Sequence, residues 1–241
     1  MELAERVIVI TGATGGVGRV ASRAFADLGA RLALVGSNQS RLDSLVAGLP
    51  ADPARITAWR ADLSRADEAR AAAQSINEHF GAIHAVLHLV GGWTGGKPIV
   101  DSDPADLASM LDQHVWTTWH MLQAFVPHLT AAGWGRLLIV SSPAAGAPPA
   151  GSSVYAAAKA AEEALLLTAA RELDGSGVTA NILQVRAVDA EHQRAAAPAP
   201  SNADWTTPEE LVAAMRFLCS DEAGLVNGAR LPFLGRAAGT A

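Results

Sequence analysis

Val7 to Ile10 is a continuous run of β-branched residues, and Gly12, Gly15, Gly16 and Gly18 follow it at once. An apolar run without polar alternation predicts a strand buried on both faces, as in a parallel sheet covered by helices. Beyond the turn, RVASRAFADLG reads as a helix closed by Gly29, and Arg31 to Val35 supplies the next apolar strand. A strand, tight turn, helix and second strand within about 30 residues has the size of a right-handed crossover between parallel strands.

The alternation then continues. Helices are expected over Ser40 to Leu49, Ser64 to Phe80, Pro104 to Ala132, Tyr155 to Leu173 and from the capping Thr207 to about Cys219, with Ser64 and Asp67 suited to an N-terminal end. Strands are expected over Ile56 to Arg60, Ala85 to Val90, Arg136 to Ser141 and Val178 to Val185. The prediction is an α/β fold: a single Rossmann-type doubly wound parallel sheet of about seven strands with helices on both faces. It forms one domain over residues 1–241, whose low-complexity patch, AAAPAP at Ala195 to Pro200, reads as a loop.

Half of the 241 residues are hydrophobic, enough for a sizeable core. The net charge of -6, with no basic run, argues against nucleic acid as a partner. The single cysteine, Cys219, excludes an internal disulfide and reads as a small buried hydrophobe. Seven histidines, His79, His84, His88, His114, His120, His128 and His192, follow no zinc-ligand spacing, so no metal site is expected. The N-terminus lacks the pattern of a secretory signal, and no apolar run reaches membrane-span length, which predicts a cytoplasmic protein with no membrane contact.

Two stretches carry chemistry. The turn TGATGGVG, Thr11 to Gly18, lies between strand and helix, where backbone N–H groups and the helix N-terminus can receive a pyrophosphate. The same glycines would also serve close strand–helix packing alone. Tyr155, the only tyrosine, precedes Lys159 by four residues, so phenol and ammonium share a helix face. The ammonium favours phenolate, and such a phenol can exchange a proton with a substrate oxygen. An alanine-rich helix can equally carry such a pair on its surface.

The T-G-x-x-x-G-x-G spacing of Thr11, Gly12, Gly16 and Gly18, together with Tyr155-x-x-x-Lys159, resembles the short-chain dehydrogenases/reductases over essentially the whole chain. Asp62-Leu63, GRLLIVSS ending at Ser142, the 13-position spacing of Ser142 to Tyr155, and EELVAAMRFLCSDEAGLVNG are also similar to that family. The resemblance implies an NAD(P)-dependent oxidoreductase for a small carbonyl or secondary alcohol. Tyr155 would be the acid/base, Lys159 would tune the phenol and bind the nicotinamide ribose, and Ser142 would orient the substrate oxygen. It implies cofactor binding by Thr11, Gly12, Thr14, Gly16, Val17, Gly18, Asp62, Leu63, Gly91, Tyr155 and Lys159. No carboxylate occupies Gly36-Ser37-Asn38, and Ser37, Asn38 and Arg41 could hold a 2′-phosphate, so NADP is preferred with NAD possible. Arg41 also suits a solvated helix face.

Four departures from the family stand out. HLVG, from His88 to Gly91, replaces N-N-A-G; His114 replaces the catalytic asparagine; Val185-Arg186 replaces Pro-Gly and Ala190 a threonine; and Ala187 to Trp205 is too short for a full helical lid. His114 can sustain an altered proton path or be a packed core histidine. The departures also motivate an alternative, a catalytically weak nucleotide sensor or partner-binding protein. By resemblance the chain forms a homodimer or homotetramer, with Trp116 and Trp119 either anchoring a contact or lying in the core.

Overall fold

The structure is a computed structural model that describes residues 3–50 and 54–234. Seven parallel strands form one sheet in the order β3-β2-β1-β4-β5-β6-β7. They are β1 (Val7–Thr11), β2 (Arg31–Gly36), β3 (Ile56–Arg60), β4 (Ala85–His88), β5 (Gly135–Ser141), β6 (Val178–Val185) and β7 (Arg230–Phe233). Side-chain alternation divides β1 between two cores: Val7 and Val9 face one, Ile8 and Ile10 the other.

Helices α3 (Ala66–Phe80), α5 (Thr117–Ala131) and α6 (Ser153–Glu172) cover the first face; α1 (Gly16–Asp27), α2 (Gln39–Ala47) and α8 (Pro208–Leu218) cover the second. The doubly wound sheet and the helix periodicities thus follow expectation. Thr207 and Glu210 form a capping box on α8. At α3 the reading differs: Arg65 is the N-cap without a side-chain bond, because Ser64 is drawn back to Asp62, while Asp67 does occupy the first turn.

The expected long helix starts as α4 (Pro104–Met110), widens into a π-helical segment over Leu111–Trp116, and resumes as α5. The π segment contains His114, and such widened turns re-aim the side chains they carry. Between Ala187 and Trp205 the chain forms only one short helix, α7 (Gln193–Ala196), whose N–H groups are received by the buried Asp189 carboxylate. Arg186 pairs with Asp204, and Arg194 with Glu210, so this segment is fastened to the body by ion pairs. Cys219 is buried and free. Among the described residues no helix is long and apolar enough to cross a membrane.

Candidate active site

The direction of winding reverses between β1 and β4, and in such sheets a crevice opens at the C-terminal strand ends. A cavity of about 450 Å³ lies there. Its walls are Val17, the Leu89–Trp93 segment, His114, Val140, Ser141, Tyr155, Lys159 and the Val185–Val188 segment.

The glycine turn closes around backbone. A Cβ on Gly18 would lie 2.4 Å from the Gly12 carbonyl oxygen, and one on Gly12, which has φ +67°, would lie 2.6 Å from that of Leu89. Only glycine fits at either position. Gly15, the N-cap of α1, offers no side-chain bond, so the first N–H groups of α1 face the crevice mouth without a capping side chain. Thr14 is partly exposed beside them, and its carbonyl accepts from Arg19 Nε at 2.9 Å. Thr11 is fully buried, and its hydroxyl meets His88 Nδ1 at 2.8 Å across β1 and β4.

At the end of β2, Ser37, Asn38 and Arg41 are all exposed. Asn38 Oδ1 caps α2 by accepting from the Arg41 N–H, which leaves its amide donors uncommitted by that cap. Beyond β3, Asp62 Oδ1 accepts from the Ser64 N–H and hydroxyl, and Leu63 is buried.

Tyr155 and Lys159 share the cavity face of α6. Lys159 Nζ donates to the Val140 carbonyl at 2.8 Å and to Glu162 Oε2 at 2.7 Å. An ammonium carries three donors, so one remains beyond these two. Ser142 is buried just past β5, and its Oγ accepts from the Ala144 N–H at 3.2 Å, leaving the hydroxyl proton available; Ser141 is the serine that walls the cavity.

His88 and His114 take different places: His88 lies beneath the crevice and His114 on its wall. Thr117 Oγ1 donates to the Gln113 carbonyl at 2.7 Å and so accepts from His88 Nε2 at 3.4 Å, which makes His88 Nδ1 the acceptor from Thr11. Burial, helped by the charges of Lys159 and His114, holds His88 neutral with a pKa lowered to about 3. His88 is thus a strut between β1, β4 and α5. His114 instead reaches the cavity, its ring edge-on to Tyr155 with centroids 5.7 Å apart. Its Nε2 meets the Gly92 carbonyl at 2.9 Å, and Gly91, with φ +155°, passes so close that a Cβ would lie 2.5 Å from His114 Cε1. Burial, then the Lys159 charge, lowers its pKa to about 4 against the opposing pull of the Gly92 bond.

Sequence reasoning passed over Glu162. Its side chain is 1 % exposed, it pairs with Lys159, and it accepts from Thr118 Oγ1 at 3.3 Å. The signal was present, since Tyr155, Lys159 and Glu162 fall at i, i+4 and i+7 on one helical stripe.

Residues 6–200 match the family model described as short chain dehydrogenase. An uncharacterized oxidoreductase of Mycobacterium tuberculosis is 36% identical over 138 residues, which are 57% of this chain and 50% of that protein, so the chain spans about half the length of that curated relative. D-threitol dehydrogenase of Mycolicibacterium smegmatis is 28% identical over 94% of this chain and 90% of its own length. A short-chain type dehydrogenase/reductase from Mycobacterium ulcerans has the same fold, with a TM-score of 0.87 at 24% identity over 96% of this chain and 89% of that one. With the model match covering most of the chain and the seven-stranded sheet in agreement, the protein belongs to the short-chain dehydrogenase family.

Proposed function

We propose that the protein is an NAD(P)-dependent oxidoreductase that reduces a small carbonyl or oxidises a secondary alcohol, with Tyr155 exchanging a proton with the substrate oxygen. The observation that carries this reading is the convergence of Tyr155 and Lys159 on one cavity at the crevice beside the glycine turn. The uncapped start of α1 and the glycines that admit no Cβ fit a dinucleotide pyrophosphate. When bound, a nicotinamide coenzyme supplies or accepts the hydride.

Thr14, Gly16 and Val17 then lie along the phosphates, Asp62 and Leu63 hold the adenine, and Gly91 meets the coenzyme from the cavity wall. Ser37, Asn38 and Arg41 favour NADP over NAD, because a phosphate gains from their donors and meets no carboxylate at Gly36 to Asn38. Lys159 turns its third donor to the nicotinamide ribose. By the family pattern Ser142, next to Ser141 of the cavity wall, would donate its hydroxyl proton to the substrate oxygen, and His114 fixes Gly91-Gly92 at that wall. Likeness to D-threitol dehydrogenase supports testing alcohol oxidation as well as carbonyl reduction. The half-exposed Trp116 and Trp119 would anchor a homodimer or homotetramer contact, and the protein would act in the cytoplasm.

A second reading, a coenzyme sensor with little turnover, is favoured by the direct pairing of Lys159 with Glu162, which offsets the charge that would act on Tyr155. Six tryptophans, with Trp93 on the cavity wall, make coenzyme binding visible as a change in emission. Binding of NADPH more tightly than NADH, followed by turnover of a carbonyl or alcohol panel that Tyr155→Phe abolishes, is the expected result. Binding without turnover selects the sensor, and no response to either coenzyme removes both readings.

A further inference from the structure

Helix α6 buries two consecutive glutamates with different fates. Glu163 receives Gln184 Nε2 at 2.8 Å and Arg230 Nε at 2.6 Å, ties that join α6 to β6 and β7 away from the cavity. Glu162 points the other way, into the layer between α6 and the π segment. There its Oε2 takes the Lys159 ammonium, its Oε1 takes the Thr118 hydroxyl, and His114 Nδ1 stands 3.7 Å from Oε2. That Nδ1 is buried and has no hydrogen-bond partner. Both Glu162 oxygens accept from donors, the arrangement of an ionised carboxylate, although burial pushes its pKa up and the Lys159 charge pulls it back. A carboxylate with no outlet to water is costly to bury unless a cation holds it, so Lys159 and Glu162 specify each other.

We propose that Glu162 is a positioning residue that sets the charge felt by Tyr155: it holds the Lys159 ammonium beside Val140 and neutralises part of its field. The inference rests on the reading of Tyr155 as the acid/base, yet its physical content is a phenol titration that needs no turnover. The titratable groups facing Glu162 are Lys159 and Glu163 from α6 and His114 from the π segment, with Glu163 held by Arg230. His114 is neutral above about pH 4, so between there and the phenol range only the Lys159–Glu162 pair alters the local charge.

Tyr155 is the only tyrosine in the chain, so tyrosine isotopically labelled at Cζ gives a single NMR resonance whose shift reports this phenol alone. In coenzyme-free protein, Glu162→Gln keeps the shape and an acceptor for Lys159 while removing the negative charge. The titration midpoint of Tyr155 should fall by about one pH unit. Should that variant not fold, Glu162→Met combined with Thr118→Val fills the same space with apolar groups and carries the same expectation. An unchanged or raised midpoint in either folded variant overturns the proposal. In active protein the low-pH limb of alcohol oxidation should move in parallel, whereas a purely structural Glu162 would change stability or rate without moving that limb. A shifted midpoint in a protein that never turns over would leave the inference standing and remove the enzymatic reading.

Discussion

At the glycine turn the chain approaches itself by leaving side chains out. Gly12 and Gly18 bring carbonyl oxygens within 2.6 Å and 2.4 Å of where a Cβ would be, and the N–H groups at the start of α1 are left uncapped. At α6, the other wall of the same crevice, the chain inserts charge: Lys159 and Glu162 are 5 % and 1 % exposed and 2.7 Å apart. The first wall is fixed by sterics, which tolerate no addition, and the second by electrostatics, which tolerate no deletion of one partner alone. Each wall therefore fails in its own way, and substitutions can separate the failures.

The largest effect is expected at the charged wall. Tyr155→Phe removes the proton donor while leaving packing nearly intact, so turnover should fall by roughly 100- to 10,000-fold. Coenzyme affinity, read from tryptophan emission, should fall only a few-fold, because Tyr155 is one of several residues expected to meet the coenzyme. Loss of coenzyme binding with turnover would place Tyr155 in the binding wall instead. At the steric wall Gly18→Ala forces backbone to move, at a cost on the order of 1–3 kcal/mol. Its coenzyme dissociation constant should rise at least about tenfold and its thermal midpoint should drop; an unchanged affinity would show that the turn adapts.

Acid should act on the buried imidazoles, His88 and His114 beside the crevice and His84 at the opposite, N-terminal edge of the sheet. His84, His88 and His114 have pKa values lowered to about 4, 3 and 4, and His84 Nδ1 accepts from the Val7 N–H at 3.0 Å. Each takes a proton more readily when unfolded, at about pH 6.5, so stability is fully present above that value. It should then be lost progressively as pH falls towards 4 and 3. Denaturant midpoints measured at pH 7 and pH 5 should show the decline, and His88→Asn should reduce its slope by about one proton. A flat profile would mean that these histidines are not neutral in the fold. The smallest effect is expected at Arg41, which is exposed at the outer edge of the steric wall. Arg41→Ala should weaken NADPH binding a few-fold and leave NADH binding unchanged, and unchanged binding of both would assign Arg41 to the solvated helix face.

Local chemistry made much of this legible in the sequence. The apolar run at Val7 to Ile10, the glycine turn and the helix periodicity specified a doubly wound sheet, because strand burial and the handed crossover are set by residues close in sequence. The Tyr155 and Lys159 pair could be placed on one face for the same reason, since helical spacing is local. Other features depended on partners far along the chain. His88 and His114 are both histidines at expected asparagine positions, yet one braces Thr11 and Thr117 and the other leans on Gly91 and Gly92. Residue type and spacing do not distinguish these fates, because a ring's hydrogen-bond partners are chosen by packing. Ser64 looked like a helix cap until Asp62 claimed it.

The sequence by itself determined the order of strands and helices, the glycines at the turn and the stripe that carries Tyr155, Lys159 and Glu162, since each follows from backbone sterics and helical period. Tertiary structure alone decided that Glu162 points inward to Lys159, Thr118 and His114 rather than to water. The physical reason is that a carboxylate's role depends on its dielectric surroundings and partners, and both exist only once the helices have closed over it.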